Sequence, residues 1–346
     1  MKSQVELSTF MISLSVSRRR WQHSARCYLR AINSDVERRI VRKDEFFAAL
    51  FNLRKVYQDC RKAMAETPWR MERNVDDYLN SFLPRMDNRV VIVTGGTKGI
   101  GRFIVEAFLG AGADVAVCAR NEPEAPPEKD GRSAVFYKCD VRNAESCRTF
   151  VDAVGEAFGR IDVLVNNAGG SPPADASKVS PRFSESIIAL NLTGPLHLSQ
   201  AVHRWMVPLP EGGSIINIAS VSAERPAPGA AAYGAAKAGL LSLTGSLAQE
   251  WGPAIRVNAI IAGLMQTEQT ELSYGSREAQ EELAASLPLK RMGRGSDIAS
   301  AALYLSSPMA AFISGARLEV HGGGEPPLFQ DIIRRHAATA QKQETA

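Results

Sequence analysis

From residue 88 onward, short and nearly unbroken apolar runs alternate with longer stretches whose apolar residues recur at three- and four-residue intervals. The runs at 90–94, 114–119, 134–139, 161–166, 213–219, 256–260 and 317–320 are rich in Val, Ile and Ala. They predict strands buried on both faces. The stretches at 102–110, 144–158, 183–206 and 231–251 predict amphipathic helices between them. This alternation predicts an α/β fold with a doubly wound parallel sheet of about seven strands. Residues 121–131, rich in Pro and charge, read as a loop.

Upstream the texture differs. Val36, Ile40, Phe47, Leu50, Leu53 and Tyr57 recur at helical spacing, and Pro68 stops the pattern. A second short helix is predicted over 72–82, ending at Pro84. The chain thus divides into a basic, disordered leader (1–34), a helical N-terminal extension (35–85), a catalytic domain (86–325) and a tail (326–346). The tail carries a short predicted helix near 329–336.

Composition adds little until it is divided along the chain. With 45% hydrophobic and 23% charged residues, the 346-residue chain is neither disordered nor collagen-like. A net charge of +4 is too slight to argue for nucleic acid. Residues 1–85 hold 17 Lys and Arg against 10 Asp and Glu, whereas 86–346 hold 24 against 27. The basic surplus therefore belongs to the N-terminal quarter. Residues 1–34 also resemble a mitochondrial transit peptide. The expected compartment is the cytoplasm, with the mitochondrion as the alternative. Five cysteines without a C-x-x-C pair argue against a disulfide framework or zinc ribbon. No apolar run is long enough to span a membrane. His23, His197, His203, His321 and His336 have no ligand spacing, so no metal is expected.

The first strand runs into T-G-G-T-K-G-I-G, residues 94–101. Gly95, Gly99 and Gly101 permit a tight turn and close approach of backbone N–H groups to a pyrophosphate, and a helix then begins. Gly95, Thr97, Lys98, Gly99, Ile100 and Gly101 are the predicted phosphate-loop residues. At the end of the second strand, a free ribose 2′-hydroxyl would call for Asp or Glu, but the chain reads C-A-R with Arg120 there. Arg120 suits a 2′-phosphate, and Lys98 adds charge nearby. NADP(H) is therefore favoured, and NAD(H) is the alternative if Glu122 takes the hydroxyl.

The glycine loop, N-N-A-G at 166–169 and Y-x-x-x-K at Tyr233 and Lys237 occur in that order on one Rossmann-like pattern. Together they resemble the short-chain dehydrogenase/reductase family over 88–324, about two-thirds of the chain. Tyr233 and Lys237 stand four apart and share a helix face. A nearby ammonium favours phenolate, so the pair is a plausible general acid/base with Lys237 as tuner. The resemblance implies that Ser220 holds the substrate oxygen and that Asn191 supports a bound water and proton relay. It also implies that Lys237 bonds the nicotinamide ribose. Ser220 could equally cap a helix, and Ser222 is a nearby rival. The resemblance extends the cofactor set to Asp140, Val141, Asn167, Ala168, Gly169, Tyr233, Lys237, Gly263 and Thr267, and gives Asn166 a role in the sheet core. The chain departs from the family at Ala262, where proline usually precedes the glycine, and that loop is less rigid for it.

The expected activity is NADP(H)-dependent interconversion of a ketone or aldehyde and an alcohol, the CH–OH/C=O class of oxidoreductase. Residues 264–287 and 170–181 are the expected substrate walls. The same-fold alternative is reduction of a conjugated C=C bond, as in enoyl or dienoyl thioester reductases. The alternative from another class is an NADPH-binding scaffold or sensor with 35–83 as its interaction module. The partner expected is a small carbonyl or alcohol substrate. The resemblance further implies a homodimer or homotetramer joined through 183–206 and 231–251.

Overall fold

The computed structural model describes residues 85–268, 270–330, 332, 333 and 336. The leader at 1–34 and the helices predicted at 35–66 and 72–82 lie outside the described residues. The chain runs β1 (Val90–Thr94), α1 (Gly99–Gly110), β2 (Asp114–Ala119), β3 (Glu128–Lys129), β4 (Arg132–Ser133) and β5 (Val135–Lys138). Then come α2 (Ala144–Phe158), β6 (Val163–Asn166), α3 (Pro181–Ile188), α4 (Gly194–Met206), β7 (Gly213–Ser220) and α5 (Ala231–Glu250). It ends with β8 (Ile255–Ala262), β9 (Met265–Gln266), α6 (Thr270–Tyr274), α7 (Arg277–Ser286), β10 (Gly293–Arg294), α8 (Gly295–Ser306) and β11 (Arg317–Val320).

Seven strands form one parallel sheet in the order β11-β8-β7-β6-β1-β2-β5. All seven match predicted runs. The central ones are apolar up to a polar last residue, Thr94 in β1 and Asn166 in β6, because helices cover both faces: every residue of the two strands is buried. On one face Ile104, Phe108 and Leu109 of α1 pack with Ile298, Ala302 and Leu303 of α8. On the other, Phe150 and Val154 of α2 pack with Leu198, Val202 and Met206 of α4 and Leu247 of α5. The order reverses direction between β1 and β6, which opens a crevice at their carboxyl ends.

Two predictions need correction. Residues 121–131 are not wholly loop: β3 and β4 pair antiparallel around Asp130 (φ 51°) and Gly131 (φ 75°). Asp-Gly tolerates two successive left-handed residues, so the turn closes at little cost. The helix predicted over 183–206 is interrupted by a π-helical turn at Ala189–Thr193. There the Asn191 side-chain amide donates to the Ile187 carbonyl at 2.9 Å, the acceptor that its own backbone N–H would bond in a regular α-helix. Among the described residues, no helix is long and apolar enough to cross a membrane.

Candidate active site

A cleft of about 490 Å³ lies over the carboxyl ends of the strands. Gly95 (φ 62°) and Gly99 (φ 55°) bend the chain between β1 and α1 through left-handed conformations. At the start of α1, Lys98 supplies no side-chain cap, and the first turn holds no acid. The Gly99 N–H is instead met by the Glu268 carboxylate at 3.3 Å. Thr94 ties the loop to the N-N-A-G segment. Its hydroxyl accepts the N–H groups of Asn167 (3.0 Å) and Ala168 (2.9 Å). The Asn167 amide donates back to the carbonyls of Thr94 (2.9 Å) and Gly95 (3.3 Å). Asn166 faces the core, donating to Asn217 at 2.9 Å.

At the other end of the cleft, Arg120 stands exposed at the end of β2. The Arg142 guanidinium donates to both Asp140 oxygens at 2.6–3.2 Å and to the Ser186 hydroxyl at 3.0 Å. Arg142 holds the Asp140 carboxyl below its ordinary range, and Asp140 in turn raises Arg142. Val141, Ala168, Gly169 and Thr267 complete the wall. Of the residues predicted for the cofactor, Gly263, Tyr233 and Lys237 do not line this cleft. Gly263 abuts His321 at the end of β11, where an added Cβ would stand 2.5 Å from the histidine Cβ.

Of the predicted reacting side chains, Asn191 and Lys237 stand beside Gly169. A Cβ on that glycine would meet Asn191 Oδ1 at 2.7 Å and Lys237 Nζ at 3.1 Å. Tyr233 and Lys237 lie on successive turns of α5, with the amine 5.7 Å from the phenol ring centre. Lys237 is buried and donates to the Ile218 carbonyl at 2.7 Å. Burial lowers it to about 8. Burial pushes the Tyr233 phenol up, the Ser220 hydroxyl draws it down by hydrogen bonding, and Tyr274 of α6 raises it further. Desolvation, rather than the expected pull of the ammonium, is thus the largest influence on Tyr233. Ser220 also caps the short turn Val221–Ala223, accepting the Ser222 N–H at 3.2 Å, which fixes its hydroxyl at the end of β7. Both sequence readings of Ser220, cap and polar partner of the tyrosine, coexist in one side chain. Asn191 is fully buried; its amide donates to Ile187 and Gly170 carbonyls and its oxygen accepts the Gly170 N–H at 2.9 Å. In this geometry the asparagine side chain pins the 169–171 backbone.

Three residues of the site escaped sequence reasoning: Thr94, Arg142 and Glu268. Thr94 read as the last apolar-strand residue, and Arg142 was signalled only by its place two residues after Asp140. Glu268 had no motif at all. The cleft and the glycine bend, where a Cβ on Gly101 would stand 2.3 Å from the Gly95 carbonyl oxygen, fit a dinucleotide.

The family model described as Enoyl-(Acyl carrier protein) reductase matches residues 95–325. A short-chain type dehydrogenase/reductase of Sinorhizobium fredii is 36% identical over 253 residues, covering 69% of this chain and 98% of that protein. An acetoacetyl-CoA reductase of Shinella zoogloeoides is 37% identical over 238 residues, covering 68% and 98%. Among solved structures, a 7α-hydroxysteroid dehydrogenase complexed with NADH and 7-oxoglycochenodeoxycholic acid superposes with a TM-score of 0.64. It is 32% identical and covers 70% of this chain and 97% of that one.

Proposed function

The chain belongs to the short-chain dehydrogenase/reductase family, and on that premise we propose that it is an NADP(H)-dependent oxidoreductase interconverting a ketone or aldehyde with its alcohol. The observation that carries this reading is the convergence of the Tyr233 phenol with the Ser220 hydroxyl and with the buried Lys237 amine, which itself stands beside Gly169. When bound, the nicotinamide supplies the hydride. Tyr233, kept protonated by burial, donates its proton to the substrate oxygen during reduction. Ser220 orients and polarises that oxygen. Lys237 stabilises the phenolate left behind. Asn191 keeps Gly169 and Gly170 in place at the end of the cleft.

A pH dependence follows from two opposed shifts. As pH rises through about 8, Lys237 loses its charge. Tyr233 keeps its proton over the same range, because its own value is raised above the usual phenol range. The donor stays loaded while the cation that stabilises its conjugate base disappears. The reductive kcat is therefore expected to fall as pH climbs through about 8, measured from neutral to alkaline pH at saturating NADPH. A flat profile would contradict this role for Lys237.

The preference for NADP(H) rests on Arg120, which makes no side-chain hydrogen bond or ion pair within the described residues and stands at the cleft rim. Arg120→Ala is expected to raise the KM for NADPH about tenfold, the loss of one charge-assisted contact, and to leave the KM for NADH nearly unchanged. A wild-type preference for NADH that the substitution does not alter would reverse the assignment.

A second reading has one observation behind it: the matching family model carries the description of an enoyl reductase. Reduction of a conjugated C=C would make the phenol a donor to carbon or enolate rather than to a carbonyl oxygen. A 3-oxoacyl thioester and its enoyl analogue, each offered with NADPH, separate the two. Consumption of the ketone alone supports the proposal, and consumption of the enoyl compound alone replaces it.

A further inference from the structure

One side chain occupies the place where the phosphates of a dinucleotide would be received. The Glu268 carboxylate accepts the Gly99 N–H at 3.3 Å, at the first residue of α1. It lines the same cleft as the glycine loop and comes from 169 positions further along the chain. A Cβ built on Gly99 would find the Glu268 carboxylate 3.7 Å away and the Thr267 methyl 4.0 Å away. A tight turn holds the glutamate there. The Thr267 N–H donates to the Thr270 hydroxyl at 2.6 Å, and that hydroxyl donates back to the Thr267 carbonyl at 2.5 Å.

The N-terminal turn of a helix favours an anion through its unpaired N–H groups and the helix dipole. A carboxylate already seated on the Gly99 N–H satisfies that donor, and its charge repels a second anion. A pyrophosphate arriving at the loop must displace it. Glu268 also opens the 264–287 segment, whose α6 carries Tyr274 close enough to act on Tyr233.

We infer that Glu268 is a positioning residue that stands in for the cofactor's pyrophosphate, holds the start of the 264–287 segment against α1, and is expelled when the dinucleotide binds. Its charge therefore lowers cofactor affinity, because only the fraction of molecules with Glu268 withdrawn is competent to bind. The inference rests on the dinucleotide reading of the cleft. It goes beyond that reading in naming a side chain of this chain that competes with the cofactor for the start of α1.

Titration of NADPH into the full-length wild type and Glu268→Gln tests it, with adenosine 2′-phosphate as a probe that reaches the Arg120 end but lacks a pyrophosphate. The variant is expected to bind NADPH about two- to fivefold more tightly, the range one carboxylate commands at an exposed helix N-terminus. Adenosine 2′-phosphate should bind both proteins equally. Glu268 is exposed, so the substitution leaves the core untouched. A residue that merely supported the fold would give equal or weaker NADPH binding, and that result overturns the inference. Equal gains for NADPH and adenosine 2′-phosphate would overturn it as well. A wild type that binds neither NADPH nor NADH refutes the cofactor reading itself, whereas binding with no gain in the variant refutes only the role of Glu268.

Discussion

Replacing Tyr233 with Phe is expected to lower turnover about 10³-fold, the scale of losing a positioned general acid, while NADPH affinity stays within about twofold of wild type. The phenol oxygen is the only atom removed. The ring keeps its place on α5, beside Lys237 at 5.7 Å. Tyr233 does not line the cleft that holds the glycine loop, so the phosphate and adenine contacts survive the change. Ser220 retains its bond to the Ser222 N–H and cannot replace the lost proton, because its hydroxyl is far less acidic than a phenol. The checks are kcat from NADPH oxidation, Kd from titration and Tm from thermal unfolding. Full turnover in the variant would remove Tyr233 from the mechanism. Lost turnover together with lost NADPH binding would show that the residue shapes the cofactor site instead.

Gly101→Ala should act at the opposite end of the chemistry. A Cβ there would stand 2.3 Å from the Gly95 carbonyl oxygen and 2.5 Å from Asn167 Nδ2. Neither neighbour can yield freely. The Asn167 amide is bonded to the carbonyls of Thr94 and Gly95, and the Gly95 N–H is bonded to the Cys118 carbonyl at 2.9 Å. The loop must open by more than an ångström, which separates the N–H groups that would meet the phosphates. NADPH affinity is expected to fall about 100-fold or more, because those donors work only when they converge on one phosphate group. Overpacking of this kind costs about 2 kcal/mol of stability. Tm should drop by about 4–8 °C, since each kcal/mol is worth about 2–4 °C in a domain of this size. Unchanged NADPH binding in a folded variant would contradict the placement of the phosphates at this loop.

The fold was legible because its strands are buried on both faces. Val90, Val91, Ile92 and Val93 have no solvent face to interrupt with polar residues, so the run is continuous in the sequence and continuous in β1. The helices of the 183–206 stretch were legible as one amphipathic pattern, but the π-helical turn was not. It arises because the Asn191 amide takes a backbone acceptor, and periodicity cannot report that competition. The β3–β4 pair was missed for a different reason. Its strands are two residues each and all four residues are exposed, so no hydrophobic alternation marks them; only Asp130-Gly131 gave a signal. Helix α8, which completes one core against α1, was not singled out either. Its Gly- and Ser-rich start hid the apolar face of Ile298, Ala302 and Leu303.

The site divided in the same way. The glycine loop, Asn191, Ser220, Tyr233 and Lys237 stand in motifs whose spacing is local, and the fold gathers them at the carboxyl ends of β1, β6 and β7 and on α5. What the sequence could not show was how distant segments close on them. The Thr94 hydroxyl matters because N-N-A-G, more than 70 residues on, lies within hydrogen-bond reach. Glu268 matters because 169 positions of chain fold back to set it on Gly99. Lys237 read as a cation for Tyr233, yet its burial lowers it to about 8, and only the three-dimensional environment supplies that desolvation.

The most direct test of the central claim is the fate of the transferred hydrogen. The wild type is supplied with NADPH deuterated at nicotinamide C4 together with ketones, 3-oxoacyl thioesters and their enoyl analogues, and the products are read by mass spectrometry and NMR. The account predicts one deuterium on the carbinol carbon of the alcohol, one product formed per NADPH consumed, and product formation about 10³-fold slower with Tyr233→Phe. Deuterium appearing only on the saturated carbon of an enoyl substrate would contradict it. So would tight NADPH binding without turnover of any carbonyl or alcohol, which would leave a cofactor-binding scaffold in its place.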